Sequence, residues 1–173
     1  HLSDGTLVQV NETPSANTAQ DFTPDDSALL YTTDEGSEFA YLMKYNIAEG
    51  SREKVMERNW DIVGSSFTEN GTYRVTYINE DAKNTIEIEE VATGKPLELP
   101  ALDGMNINSV GFSMDETRMR FFAGDSNSPS NLYVLNLESG EVQQLSDVLN
   151  PEIAQEQLVK AEVVRFPSFD GLE

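Results

Sequence analysis

Phe22–Thr33 reads FTPDDSALLYTT, Phe67–Ile78 reads FTENGTYRVTYI and Phe112–Ala123 reads FSMDETRMRFFA; the three lie 45 residues apart. Each opens with Phe and a hydroxyl residue (Thr23, Thr68 or Ser113), passes through a polar turn and enters a run rich in Tyr, Val, Thr and Phe. The turns are Asp25-Asp26-Ser27, Asn70-Gly71-Thr72 and Asp115-Glu116-Thr117. Asp, Asn, Ser and Gly suit such turns because they cap their own backbone or accept left-handed φ. A β-branched and aromatic run after the turn predicts a strand.

A second marker recurs in the same register. Tyr41–Gly50 reads YLMKYNIAEG, Thr85–Gly94 reads TIEIEEVATG and Asn131–Gly140 reads NLYVLNLESG, with Phe-to-Gly separations of 28, 27 and 28 residues. Gly supplies the positive φ that a tight hairpin needs. SREKVM, KPLELP and EVQQLS follow as short strands. One unit therefore holds four strands: into the Phe, after the polar turn, before the Gly and after it. Four short strands per 40–45 residues is the period of a β-propeller blade, which needs neighbours to bury its faces.

The expected fold is all-β: a partial β-propeller of about three four-stranded blades, near 17–61, 62–106 and 107–146. An antiparallel sandwich with regular turns competes, but two markers recurring in register argue against it. Helix propensity over Arg52–Arg58 (REKVMER) also competes with the strand that the register places there. The segment from Leu2 to Val10 (LSDGTLVQV) resembles Leu137–Leu145 (LESGEVQQL), and Gly5 lies 45 residues before Gly50. Residues 1–16 thus read as the stub of an earlier blade, and the chain as a piece of a longer protein.

The pattern changes after Leu145. Asn150-Pro151-Glu152 carries a helix-start signature: an Asn N-cap, Pro at the first helical position and an acid in the first turn. Ile153–Lys160 is then expected to form two turns, within a short helical linker over 147–161. Val163–Phe166 reads as a strand and Phe169-Asp170-Gly171 as its turn.

Three blades followed by LSDVLNPEIAQEQLVKAEVVRFPSFDGLE resemble the junction region of the prolyl oligopeptidase family of serine peptidases. The more specific part runs from Leu149-Asn150-Pro151 to Gly171; the blade turns are shared with TolB-like and WD40-like propellers. The resemblance implies that 162–173 is the first strand of an α/β-hydrolase domain, with Ser168-Phe169-Asp170-Gly171 matching a Ser-x-Asp-Gly turn. It further implies a parent enzyme that hydrolyses short peptides, with the propeller filtering substrates sterically. The implied partners are the rest of the parent chain, including its hydrolase domain, and those peptides. The alternative is a TolB-like or WD40-like propeller serving as a protein-interaction platform. An open arc of three blades leaves faces and strand edges bare, so the chain is expected either to self-associate, closing a ring from two copies, or to stay bound to a companion fragment of the same protein.

No catalytic, cofactor-binding or metal-binding residue is assigned. The G-x-S-x-G elbow of the hydrolases is missing: Gly64-Ser65-Ser66 and Gly124-Asp125-Ser126 lack its spacing. The one histidine is His1, so a placed Ser-His-Asp triad cannot be assembled from these residues. Asp25-Asp26 with Asp34-Glu35 contain no calcium-loop pattern, and in Asp125-Ser126-Asn127 the pattern breaks at Pro129 and Ser130. Turn chemistry is the preferred reading of both. Trp60 is expected to wedge between blades. Arg118 and Arg120 are expected either to pair with acids or to line a central tunnel. Asn11-Glu12-Thr13 and Asn70-Gly71-Thr72 are sequons, but Asn70 is already explained by its turn, and glycosylation is not expected at either.

Composition narrows the partners. The 173 residues carry 31 acids against 11 Lys and Arg, a net charge of −20. Such a surface repels phosphates and anionic membranes, so neither nucleic acid nor a membrane is an expected partner. Cysteine is absent, which excludes disulfides and Cys-ligated metals and leaves the compartment open.

Overall fold

Thr23, Thr68 and Ser113 each donate their backbone N–H across the turn, to the carbonyls of Ala28, Tyr73 and Arg118 at 2.9–3.0 Å. The residue three further on, Asp26, Gly71 or Glu116, donates back at 2.8 Å and lies in the left-handed region, at φ of 56°, 71° and 51°. The Gly hairpins repeat as closely. Gly50, Gly94 and Gly140 donate to Asn46, Glu90 and Asn136 at 2.8–2.9 Å, at φ of 68–73°. Gly5 shares this conformation, at 70°.

These turns come from a computed structural model that describes residues 5, 7–81, 83–102 and 105–171. Leu2, Ser3, Asp4 and Thr6 of the expected stub lie outside the described residues, as do His1, Leu172 and Glu173. The fold is that of a partial β-propeller, nearly all β, built from three antiparallel sheets. The first is β1 (Asn17–Phe22), β2 (Ala28–Thr33), β3 (Tyr41–Asn46) and β4 (Arg52–Met56), paired in that order. The second is β5 (Asp61–Phe67), β6 (Tyr73–Glu80) and β7 (Lys83–Glu90). The third is β8 (Asn106–Phe112), β9 (Arg118–Asp125), β10 (Ser128–Asn136) and β11 (Val142–Gln144). The register settles the competition over Arg52–Arg58: residues 52–56 pair as a strand with β3.

The chain divides into two compact units. The first runs to Asn79 and includes Ile86–Leu97; the second comprises Glu80–Thr85 and the chain from Glu98 on. In the first unit the first two sheets share a core. Leu30, Leu42, Ile62 and Ile78 are almost wholly buried, with Val55, Met56, Trp60 and Phe67 packed against them. Each such side chain contributes about 1.5–3 kcal/mol of burial. Trp60 joins this inter-blade core, as expected, and also meets Phe39 at 6.1 Å between ring centroids. A polar seam runs beside it. Gln20 accepts from the Ser65 N–H at 3.2 Å, and Asp21 from the Phe67 N–H at 2.9 Å. The second unit has its own core of Met119, Phe121, Ala123, Tyr133 and Leu135. Phe121 and Tyr133 stack there at 5.4 Å.

Three expectations need correction. KPLELP does not form a fourth strand in the second sheet: only Glu89 and Pro96 form a bridge. Pro96 has no N–H to donate and Pro100 cuts the run short, so no ladder can extend. The helical linker of 147–161 is a single 3-10 turn, Gln155–Gln157. Asn150 closes only a local turn, accepting from the Glu152 N–H at 3.0 Å. The 3-10 turn starts later, with Ala154 as its N-cap and no side-chain cap bond; no residue of it is buried, and a two-turn helix is marginal without packing. Residues 162–171 form no strand and are exposed, since a strand needs a paired neighbour. No helix among the described residues is long and apolar enough to cross a membrane.

Candidate functional site

The acidic turns are structural. The Asp25 carboxylate accepts from the Thr23 hydroxyl at 2.7 Å, the Ser27 hydroxyl at 2.8 Å and the Ser27 N–H at 3.2 Å. These bonds, the Thr23 hydroxyl foremost, pull its pKa down to about 2. Asp115 repeats the arrangement with Ser113 and Thr117, and its pKa is lowered too, first by the Ser113 hydroxyl. Asp34 accepts from the Ala16 N–H and Glu35 pairs with Arg52 at 2.9 Å, so neither joins Asp25. Asp125 caps the Ser126 N–H at 2.7 Å. No cluster of three or more metal-ligating side chains occurs among the described residues.

The serines beside glycine are also accounted for. Ser65 is buried, its hydroxyl 3.2 Å from that of Thr76. Gly124 is needed where it stands because a Cβ there would lie 2.7 Å from the Ser130 backbone. Arg118 and Arg120 are exposed and make no ion pair among the described residues, against the expectation of acidic partners. Arg120 instead donates to the Ser109 carbonyl at 3.4 Å, at a break in the β8–β9 register. Asn11 forms a local turn, accepting from the Thr13 N–H at 3.0 Å.

Sequence reasoning passed over the most chemically equipped place in the first unit. Between the faces of the first two sheets lies a cleft of about 480 Å³. Leu30, Val55, Phe67 and Val91 form its apolar wall, and Pro24 and Gly71 its turn side. Two ion pairs enter it: Lys44 with Glu53 at 2.5 Å, and Arg74 with Glu89 at 3.1 Å. β3 and β4 supply the first pair and β6 and β7 the second, so each lies within one sheet. Arg74 is 6% exposed, and its Nε has no hydrogen-bond partner among the described residues. That volume suits a small ligand, and apolar walls with a few polar groups are the usual make-up of such sites.

No protein-family model matches the chain, and no curated protein does. Solved structures do. TolB from Acinetobacter baumannii is similar with a TM-score of 0.55 and 16% identity, over 79% of this chain and 34% of TolB. A putative TolB from Agrobacterium tumefaciens matches with a TM-score of 0.54 and 13% identity, over 80% of this chain and 51% of that one. A prolyl endopeptidase matches with a TM-score of 0.60 and 16% identity, over 82% of this chain and 21% of the enzyme. The chain thus spans from about a fifth to about half of the proteins it matches. At 13–16% identity these likenesses define the fold class alone, a β-propeller.

Proposed function

We propose that the chain is part of the substrate-gating propeller of a prolyl-oligopeptidase-like serine peptidase that cleaves short peptides. One observation carries this reading: the element order, in which consecutive blade sheets are followed by the 149–171 stretch. That stretch ends in a turn closed by the Gly171 N–H on the Ser168 carbonyl at 3.0 Å. The likeness to a prolyl endopeptidase supports it. Gating is steric in this scheme, so the blades need no catalytic side chain, and the chemistry belongs to the hydrolase domain of the parent. The chain by itself is expected not to react with a fluorophosphonate probe.

The test uses the parent enzyme. Deleting the blade residues 17–146 should leave fluorophosphonate labelling intact while relaxing discrimination between a short peptide and the same sequence inside a folded protein. Unchanged discrimination would refute gating. The second reading, a TolB-like or WD40-like interaction platform, is favoured by the TolB likenesses, which cover as much of the chain. It predicts a parent with no serine nucleophile to label.

A further inference from the structure

Positions 30, 75 and 120 are equivalent in the 45-residue register and hold Leu, Val and Arg. Positions 28 and 118 are equivalent too, and hold Ala and Arg. Ala28, Leu30 and Val75 are buried, so this face of a blade is ordinarily a packing face. The first unit shows how it is covered: Leu30 and Leu42 pack on Ile62 and Ile78 of the second sheet. Beside that contact Arg58 forks onto Glu87 of β7, at 2.9 and 2.5 Å. In the third sheet burial alternates along β9. Met119, Phe121 and Ala123 are buried, while Arg118, Arg120 and Phe122 stand on the other face. The ladder sets Asn136, Val134 and Leu132 beside these three, and none of them is buried.

Neither guanidinium reaches a carboxylate among the described residues, although acids outnumber Lys and Arg by 31 to 11. The cause is local. The only acid in the four strands of this sheet is Asp125, which caps the Ser126 N–H at the hairpin. Asp115, in the preceding turn, is taken up by the hydroxyls of Ser113 and Thr117. Arg120 is also held in place. Its guanidinium lies over Gly111, where a Cβ would stand 2.9 Å from Cζ, and it donates to the Ser109 carbonyl. Arginine's planar fork is matched by a carboxylate. Two residues along a strand span about 6.6 Å, so the pair suits carboxylates two residues apart on a facing strand. At physiological salt charges act over about 8 Å, so a short segment on this face meets its two cations rather than the net charge of the chain. Nucleic acid, a long polyanion, would extend beyond the face into acidic surroundings. A second copy docking through the same face would oppose arginine to arginine. We propose that the exposed face of the third sheet docks an acidic polypeptide strand. Its carboxylates pair with Arg118 and Arg120, and an apolar side chain rests on Phe122 and Leu132. This inference stands apart from the gating reading, because an interaction platform would carry the same face.

The Nε–H groups of Arg118 and Arg120 give their own NMR signals. The isotopically labelled chain can be titrated with the capped peptide acetyl-Glu-Thr-Glu-Thr-Leu-Thr-amide, and in parallel with the same peptide carrying Gln or Lys in place of Glu. The acidic peptide is expected to shift both Nε–H signals saturably, together with the backbone amides of Phe122 and Leu132. Its affinity should fall as salt rises from about 0.05 to 0.5 M. The Gln and Lys peptides should bind at least roughly tenfold more weakly. Arg118→Gln combined with Arg120→Gln should abolish the response; both side chains are exposed, so this variant should melt near the parent temperature. Gly111→Ala puts a Cβ against the Arg120 guanidinium and should weaken the acidic peptide while Arg118 still responds. Equal binding of the Gln peptide, undiminished binding by the double variant, or no shift at the solubility limit of the acidic peptide would each overturn the proposal. So would the same shifts arising with protein concentration alone, which would assign the face to a second copy.

Discussion

Position 71 and position 26 are equivalent in the repeat, yet they tolerate different residues. Both lie at positive φ, but a Cβ on Gly71 would sit 2.5 Å from Pro24 Cγ. Gly71→Ala combines left-handed strain with a clash against a proline ring and should cost about 2–5 kcal/mol. Asp26→Gly removes only the strain and should change stability by less than about 1 kcal/mol in either direction. Urea melts of the two variants test the contrast. Asp25 makes a pH prediction. Its folded pKa of about 2 lies below the ordinary value of 3.8, so its contribution is complete above pH 4 and is lost as pH falls through about 2. Asp25→Asn should therefore melt below the parent at pH 7, and the gap should narrow towards pH 2. A gap that widens on acidification would contradict the turn's electrostatics. These turns were legible in the sequence because Asp, Asn and Gly have few other reasons to recur at one spacing. The clash at Gly71 was not, since Pro24 is distant in sequence.

Strands fared by how much of their pairing is local. β2, β3, β6 and β10 follow a recognisable turn or run into a Gly hairpin, and composition alone located them. The fourth strand of the second sheet failed at Pro96, where the missing N–H was visible in the sequence but was outweighed by the register. The Asn150-Pro151-Glu152 signature ahead of residues 153–160 closed a local turn rather than capping a helix, because the residues after it have no surface to pack on. The inter-blade contacts were invisible because they join residues 45 or 46 apart through side chains that do not repeat: Gln20 and Asp21 become Ser65 and Ser66 in the next unit. Asp21→Ala should strip the Phe67 N–H of its charged acceptor, at a cost of about 1–3 kcal/mol. Leu42→Ala empties a fully buried place in the shared core and should cost about 2–5 kcal/mol. If the two blades form one cooperative core, tryptophan fluorescence of Trp60 and far-UV circular dichroism should report the same midpoint in each variant. Separate midpoints would mean that the blades unfold independently. The Arg74 cleft was half-legible: the register places an arginine where Leu29 and Met119 stand, but only the structure reveals its Nε–H, unmet among the described residues.

At the scale of the whole molecule, charge and apolar exposure oppose each other. Val159, Val164, Phe166 and Phe169 are all more than two-thirds exposed, a concentration that favours association. The net charge of −20 resists it. Screening shortens electrostatic range to about 3 Å at 1 M salt, so light scattering at high micromolar protein should show a mass above 19.2 kDa that rises with ionic strength. A clean monomer across that salt range would contradict the expectation. The proposed role is tested most directly by reading the gene downstream of position 173. The peptidase account predicts a G-x-S-x-G elbow downstream, followed by an Asp and then a His. Further blades, or a stop codon, would contradict it.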